Sequence, residues 1–155
     1  MDGAIMNILF VEDEKDLAAT GIAQLELKGY TVFPAYDIAD AQAVLDDPKR
    51  QVDFIIADHR LPDGMGIQFV IETKKSFPKC KCAIVSGCLT SADIETLVRL
   101  KIPYYHKPLL YGQVIDELRR QYGAQAKDYE DPEVGSSDLL DEDTKKHSHK
   151  FWPFK

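Results

Sequence analysis

The chain has 155 residues, of which 45% are hydrophobic, and carries a formal net charge of −7. This length fits one domain with a sizeable core, and the acidic balance argues against a DNA-binding surface, which needs clustered Lys and Arg. The sequence shows neither a basic leader with an apolar core nor an apolar run of the roughly 20 residues that span a bilayer. We therefore expect a soluble, cytoplasmic protein without direct DNA binding or membrane insertion.

The first half of the chain predicts strands that end on carboxylates. Residues 6–11 form a short apolar run that ends on Glu12, Asp13 and Glu14, and a helical pattern follows as far as Gly29. A second short strand covers residues 31–35, and Asp37 can cap the next helix. Strand, loop and helix therefore follow one another twice within the first 48 residues.

The third strand covers residues 52–58 and ends at Asp58, before a turn closed by Pro62 and Gly64. The run has no polar alternation and is too short for a helix, so it predicts a strand buried on both faces of a parallel sheet. Asp58 then lies at the carboxyl end of the strand, where open α/β sheets place their ligands. It is the first candidate for chemistry.

Two more strands complete the pattern, and each ends on a polar residue. Residues 82–86 end on Ser86, a helix capped by Ser91 follows, and residues 103–107 end on Lys107 before a last helix that stops at Gly123. Five strands alternating with five helices predict right-handed βαβ units, hence an α/β fold with a five-stranded parallel sheet covered on both faces.

The end of the chain departs from this pattern. Residues 128–143 contain eight acidic residues and no basic one, whereas residues 145–155 contain four lysines and three aromatic residues without an acid. We predict a domain over residues 1–127 and a flexible tail over residues 128–155. A second hypothesis is that the aromatic end of the tail docks on a partner or on the domain itself.

Together, Glu12, Asp13, Asp58, Ser86 and Lys107 resemble the site of receiver domains of bacterial two-component response regulators. The motif Asp58-x-x-Leu61-Pro62-Asp63-Gly64 and the Lys107-Pro108 step match as well, and the resemblance covers roughly residues 6–122. It implies a single-domain, chemotaxis-regulator-like protein with a doubly wound, flavodoxin-like fold and strand order 2-1-3-4-5. In that order the first and third strands are neighbours, which brings three mutually repelling carboxylates together at a place suited to a divalent cation.

The resemblance also implies a role for each residue. Asp58 is expected to be the phosphoacceptor, with Lys107 and Ser86 binding phosphoryl oxygens. Mg²⁺ is expected on Asp13, Asp58 and the backbone carbonyl of Arg60, with Glu12 acting through water, and the Lys107-Pro108 peptide bond is expected to be cis.

The output expected from the resemblance is conformational. Phosphorylation would draw Ser86 inward and let Tyr104 rotate, which biases the face made by the fourth helix, fifth strand and fifth helix. The expected partners are a sensor histidine kinase or histidine phosphotransfer protein, a downstream protein effector, and a second copy in a homodimer through that face. The chain would be a signalling switch that catalyses its own aspartyl phosphorylation and dephosphorylation.

Three rival functions can be compared with this hypothesis, and the first two would need other residues after the first strand. A flavin mononucleotide protein would need a phosphate loop after the first strand, where Glu12, Asp13 and Glu14 repel phosphate. An aspartate-nucleophile phosphatase would need Asp-x-Asp there, whereas Lys15 follows Asp13 two places on. The third rival is a degenerate receiver that binds proteins without phosphorylation.

Arg60 departs from the small or polar residues frequent at its position in the family. We hypothesise that its side chain reaches over the mouth of the site and changes the rate at which water attacks the acyl phosphate.

Overall fold

The computed structural model describes the backbone of residues 6–130 and the side chains of residues 6–121. Residues 131–155 of the predicted tail lie outside the described residues, so the predicted tail and its docking hypothesis stay predictions, as does the predicted domain boundary. The chain divides after Gly112 into two compact units. Among the described residues, the first unit contains all the strands and four complete helices, and the second contains the fifth helix from Gln113 onward.

The first unit is built on a five-stranded parallel sheet. Its strands are β1 (Asn7–Val11), β2 (Thr31–Ala35), β3 (Phe54–Asp58), β6 (Lys81–Ser86) and β7 (Tyr104–His106). They lie in the order β2-β1-β3-β6-β7. A separate hairpin of two short antiparallel strands, β4 (Arg60–Leu61) and β5 (Gly64–Met65), interrupts the numbering between the third and fourth sheet strands. The predicted parallel sheet and its 2-1-3-4-5 order are therefore confirmed.

The central strands are apolar on both faces, as a covered parallel sheet requires. Ile8 and Leu9 of β1 and Ile55 and Ile56 of β3 are consecutive residues, and none is more than 1% exposed. Because consecutive side chains on a strand point to opposite faces, this burial shows that both faces of the sheet are covered.

Helices occupy the connections between the strands, and one more helix follows β7. They are α1 (Lys15–Leu27), α2 (Ile38–Asp46), α3 (Gly66–Ser76), α4 (Ser91–Leu100) and α5 (Tyr111–Glu130). At the end of α1, Gly29 has a φ of +97° and its amide donates to Glu26, so the predicted stop at this glycine is confirmed.

The start of α4 corrects one predicted cap. Asp37 caps α2 as predicted, and its carboxylate accepts a hydrogen bond of 2.7 Å from the amide of Asp40. Ser91, however, is the first residue of α4, and the cap is Thr90. Thr90 and Asp93 exchange hydrogen bonds of 3.0 and 2.9 Å between side chain and amide, a capping box that Ser91 cannot form.

Helix α5 also differs from the prediction at both ends. It begins at Tyr111, after Leu109 and Leu110, and it continues through Gly123 to Glu130. A single glycine costs a helix only about 1 kcal/mol relative to alanine, and the Ala-Gln-Ala-Lys segment that follows favours helix.

Candidate functional site

The register of the sheet assembles the candidate residues at one edge. Val11 pairs with Ala57, so Glu12 and Asp13, which follow β1, emerge beside Asp58 at the end of β3. Parallel strands end at the same edge of a sheet, and this edge is where open α/β folds bind ligands.

Three carboxylates form the centre of the site. Glu12, Asp13 and Asp58 each offer an oxygen, and these three oxygens lie within 4.8 Å of one another. Glu12 is 2% exposed, Asp58 is half-buried and Asp13 is exposed. Like charges at this separation repel, and hard carboxylate oxygens are the ligands that Mg²⁺ prefers, so the donor set fits that ion.

Lys107 joins two of these carboxylates. Its Nζ atom donates to Glu12 Oε1 at 2.5 Å and to Asp58 Oδ2 at 3.1 Å. Burial alone would lower the pKa of Lys107, but the hydrogen bonds and charges of Glu12 and Asp58 outweigh it and hold the pKa above its ordinary value. The lysine is therefore a fixed cation at this edge of the sheet.

Backbone amides hold the remaining oxygens of the same two carboxylates. The amide of His59 donates to Asp58 Oδ1 at 2.7 Å, and the amide of Glu14 donates to Glu12 Oε2 at 3.1 Å. Each carboxylate thus has one oxygen on a backbone donor and the other on the ammonium of Lys107. Such charge-assisted bonds fix side-chain orientation, so the geometry at Asp58 is already set in this state.

Ser86 lies one strand further along the same edge. It follows Val85, the residue paired with Asp58, and its hydroxyl oxygen accepts a hydrogen bond of 3.2 Å from the amide of Cys88. The amide of Lys107 donates to the Ser86 carbonyl at 3.1 Å, which ties the lysine backbone to β6. The Lys107-Pro108 peptide bond is cis, as expected.

Tyr104 is the buried aromatic residue of β7. It is 1% exposed, its ring meets that of His106 edge to face at 5.7 Å, and burial raises the pKa of its phenol to about 12. Tyr105, its neighbour, is half-buried. The predicted switch residue is therefore packed inward in this structure.

The segment from Asp58 to the start of α3 contains two features that sequence reasoning missed. Asp63 accepts hydrogen bonds of 2.8 and 3.0 Å from the amides of Ile38 and Ala39, at the start of α2. These bonds to backbone amides hold the pKa of Asp63 below its ordinary value. The family motif was the available signal, but it does not say which helix the carboxylate reaches.

Gly66 is the second missed feature. A Cβ atom placed at this position would lie 2.0 Å from the carbonyl oxygen of Asp58, and the amide of Gly66 donates to the His59 carbonyl at 2.6 Å. The start of α3 therefore packs directly on the backbone of Asp58, and only glycine permits this approach.

Most of the predicted site residues meet at this edge. Glu12, Asp13, Asp58 and Lys107 are brought together, whereas the side chain of Arg60 is exposed on β4. Ser86 and Tyr104 stand on the two strands beyond β3, and their predicted roles, like that of the Arg60 carbonyl, stay predictions.

Comparison with known proteins decides the family. The family model of the response regulator receiver domain matches residues 8–118. The chain belongs to this family. Every candidate site residue named above falls within the matched segment of the receiver domain.

Two curated relatives and one solved structure illustrate the match. The receiver is 29% identical over 133 residues to the transcriptional regulatory protein VxrB of Vibrio cholerae, covering 85% of this chain and 52% of that protein. It is 27% identical over 113 residues to the sensor kinase CckA of Brucella abortus, covering 72% of this chain and 12% of that protein. The chain thus spans about half or less of the length of these relatives.

A solved CheY-like response regulator receiver domain protein from Methanospirillum hungatei JF-1 matches the fold with a TM-score of 0.73 and 21% sequence identity. The match covers 81% of this chain and 99% of that chain. At this identity the likeness shows the flavodoxin-like α/β fold alone. No helix among the described residues has the length and apolar character needed to cross a membrane.

Proposed function

We propose that this receiver domain accepts a phosphoryl group on Asp58 from a phosphohistidine and passes the signal on through a change of its partner-binding face. The phosphodonor would be a sensor histidine kinase or a histidine phosphotransfer protein. The observation that carries the proposal is the meeting of Asp58 with Glu12, Asp13 and Lys107 at one edge of the sheet.

The charges of the site support this reaction. The three carboxylates and Lys107 together carry a net charge of −2, a poor environment for an incoming phosphoryl group. Mg²⁺ held by Asp13, Asp58 and the Arg60 carbonyl, with Glu12 acting through water, would make the cluster neutral. When bound, the ion would neutralise the negative charge of the phosphoryl oxygens, and this is its whole contribution to the reaction.

The protein groups do the rest by position. A carboxylate oxygen of Asp58 attacks phosphorus, a new P–O bond forms, and the P–N bond to the donor imidazole breaks with its electron pair leaving on nitrogen. The His59 amide on Asp58 Oδ1 fixes the carboxylate for this attack. Lys107 and the Ser86 hydroxyl bind oxygens of the transferred group, and a later attack by water at phosphorus regenerates the carboxylate.

Readout follows from the same contacts. The phosphoryl group competes with Glu12 and Asp58 for Lys107. It also draws away the Ser86 hydroxyl, whose oxygen accepts a hydrogen bond of 3.2 Å from the Cys88 amide in this structure. The ring of Tyr104 is packed inward in this structure. After phosphorylation it exchanges between two positions, which changes the face that includes α4 and β7. A downstream protein, or a second copy of this chain, would read that face.

A direct test uses Mg²⁺ with beryllofluoride, a phosphoryl mimic, and acetyl phosphate as a small phosphodonor. We expect the parent protein to bind beryllofluoride only with Mg²⁺ present and to form an acid-stable, base-labile phosphoprotein. Asp58→Asn should do neither, while Asp53→Asn, a carboxylate outside the cluster, should leave both results unchanged. Failure of the parent in both assays would overturn the proposal in favour of a receiver that binds proteins without phosphorylation.

A further inference from the structure

His59 is a buried side chain that the proposed chemistry leaves without a role. It directly follows Asp58, is 5% exposed, and donates through its own amide to Asp58 Oδ1 at 2.7 Å. A buried imidazole needs partners for its ring nitrogens, because an unsatisfied polar group in the interior is costly. Its ring contacts therefore show what the residue does.

The ring of His59 connects two helices. On one side, the amide of Ile67 in the first turn of α3 donates to Nδ1 at 3.4 Å. On the other side, Nε2 lies 3.5 Å from Asp93 Oδ2, in the first turn of α4. An imidazole that carries its hydrogen on Nε2 satisfies both contacts, with Nδ1 as acceptor and Nε2 facing the carboxylate.

Asp93 belongs to the structure that starts α4. The same Oδ2 atom that faces His59 accepts the Thr90 amide at 2.9 Å, closing the capping box of the helix. Hydrogen bonds from Thr90 chiefly lower the pKa of Asp93, and the nearby His59 and Arg60 add to this effect. The imidazole thus reaches a carboxylate whose position determines how α4 begins.

We propose that His59 is a positioning residue that couples the occupancy of Asp58 to the first turn of α4. The proposal rests on the proposed function, since it concerns what happens when a phosphoryl group occupies Asp58. This coupling does not involve Ser86 or Tyr104. It runs through the contact between His59 and Asp93, a residue of α4 itself.

The physical basis is the rigidity of a short path. Phosphorylation of Asp58 removes charge from its carboxyl oxygens, which weakens the bond from the His59 amide and lets the backbone after β3 shift. Because the ring is held against α3 by the Ile67 amide, a shift of the His59 backbone turns or withdraws Nε2 from Asp93. The first turn of α4 then loses a contact on its capping carboxylate and takes up a new position.

The experiment compares amide NMR spectra with and without beryllofluoride and Mg²⁺, for the parent and for variants at both ends of the contact. In the parent we expect occupancy of Asp58 to displace the amide signals of the first turn of α4. In His59→Leu, which removes the ring, the displacement should fall at least twofold. In Asp93→Asn, whose oxygen can still accept from the Thr90 amide and from His59 but carries no charge, the displacement should fall by a smaller factor. His59→Gln should retain it, because its terminal amide can still donate to Asp93.

The matched control is Glu95→Gln, which removes an exposed acid from the same helix. It should show the displacement of the parent. Fluorine NMR of the bound beryllofluoride measures occupancy of Asp58 separately in each variant. Undiminished displacement in both His59→Leu and Asp93→Asn would overturn the inference, as would equal loss in the Glu95→Gln control.

These results keep the two proposals apart. If the parent protein fails to bind beryllofluoride, the proposed phosphorylation itself fails. If the parent and the variants bind it and α4 still responds in both variants, phosphorylation stands and only the coupling through His59 is wrong.

Discussion

Replacing Lys107 with methionine should make the stability of this domain depend strongly on divalent cations. The substitution keeps the length and apolar character of the side chain but removes the ammonium that lies 2.5 Å from Glu12 and 3.1 Å from Asp58. Glu12 is 2% exposed, so its carboxylate cannot recover hydration in place of the lost partner. Removing one partner of a buried ion pair costs about 3–5 kcal/mol.

The thermal midpoint turns this energy into an observable. For a domain of this size each kcal/mol corresponds to about 3 °C, so Lys107→Met should melt about 10 °C or more below the parent in EDTA. A cation that binds only the folded state stabilises it by mass action, by about 2.7 kcal/mol at one hundred times its dissociation constant. Because the variant cluster is more negative, MgCl₂ should raise its melting temperature more than that of the parent.

Thermal melts of both proteins, in EDTA and in MgCl₂, check this expectation. Lys75→Met is the control, because this lysine is 68% exposed and pairs with Glu72 at 3.5 Å on the helix surface. An exposed pair contributes about 0–1 kcal/mol, so the control should melt close to the parent with and without Mg²⁺. The reasoning would be refuted by a Lys107→Met protein that melts with the control in EDTA, or by one whose melting temperature Mg²⁺ raises no more than it raises that of the parent.

Three further predictions concern the surroundings of the site. Gly66→Ala should destabilise the protein by about 3 kcal/mol or more, because the added Cβ would lie 2.0 Å from the Asp58 carbonyl oxygen. Gly87→Ala is the control, since the nearest atom to its added Cβ would be 3.9 Å away, and it should be close to neutral. Denaturant titrations measure both changes. The pKa of Tyr104 is raised to about 12 by burial, so the folded state holds this proton more tightly and the free energy of unfolding should fall from about pH 10 upward. Tyr104→Phe should reduce that fall, and a variant with the parent's alkaline melting profile would contradict it. Arg60→Ala should change the half-life of the phosphorylated protein, and a half-life equal to the parent's would end the hypothesis that Arg60 controls access of water.

Much of this architecture could be predicted because each strand is a short apolar run that stops at a polar residue. Asp58 and Lys107 were recognisable as the polar residues at which strands end, and the resemblance supplied the strand order that places Glu12 and Asp13 beside Asp58. The sheet then confirmed the order, and the carboxylates after β1 and β3 proved to share one cluster.

The remaining contacts are of two kinds: those of His59 join distant segments and could not be predicted, whereas the cap of α4 has a local sequence signal. His59 is polar and follows a strand, which typically indicates exposure, yet the helices α3 and α4 enclose it. Thr90 and Ser91 are adjacent hydroxyl residues, and only the spacing of three to Asp93 distinguishes the true cap. That signal was present in the sequence and was missed.

The carboxylate of Asp63 has a consequence for how motion near the site can be observed. It lies in the turn after Asp58 and accepts the amides of Ile38 and Ala39, which belong to the first turn of α2. Those two amides are protected from exchange with solvent only while the turn stays in place. Hydrogen exchange at the start of α2 therefore reports how often the loop beside Asp58 opens, although α2 itself contributes no group to the site.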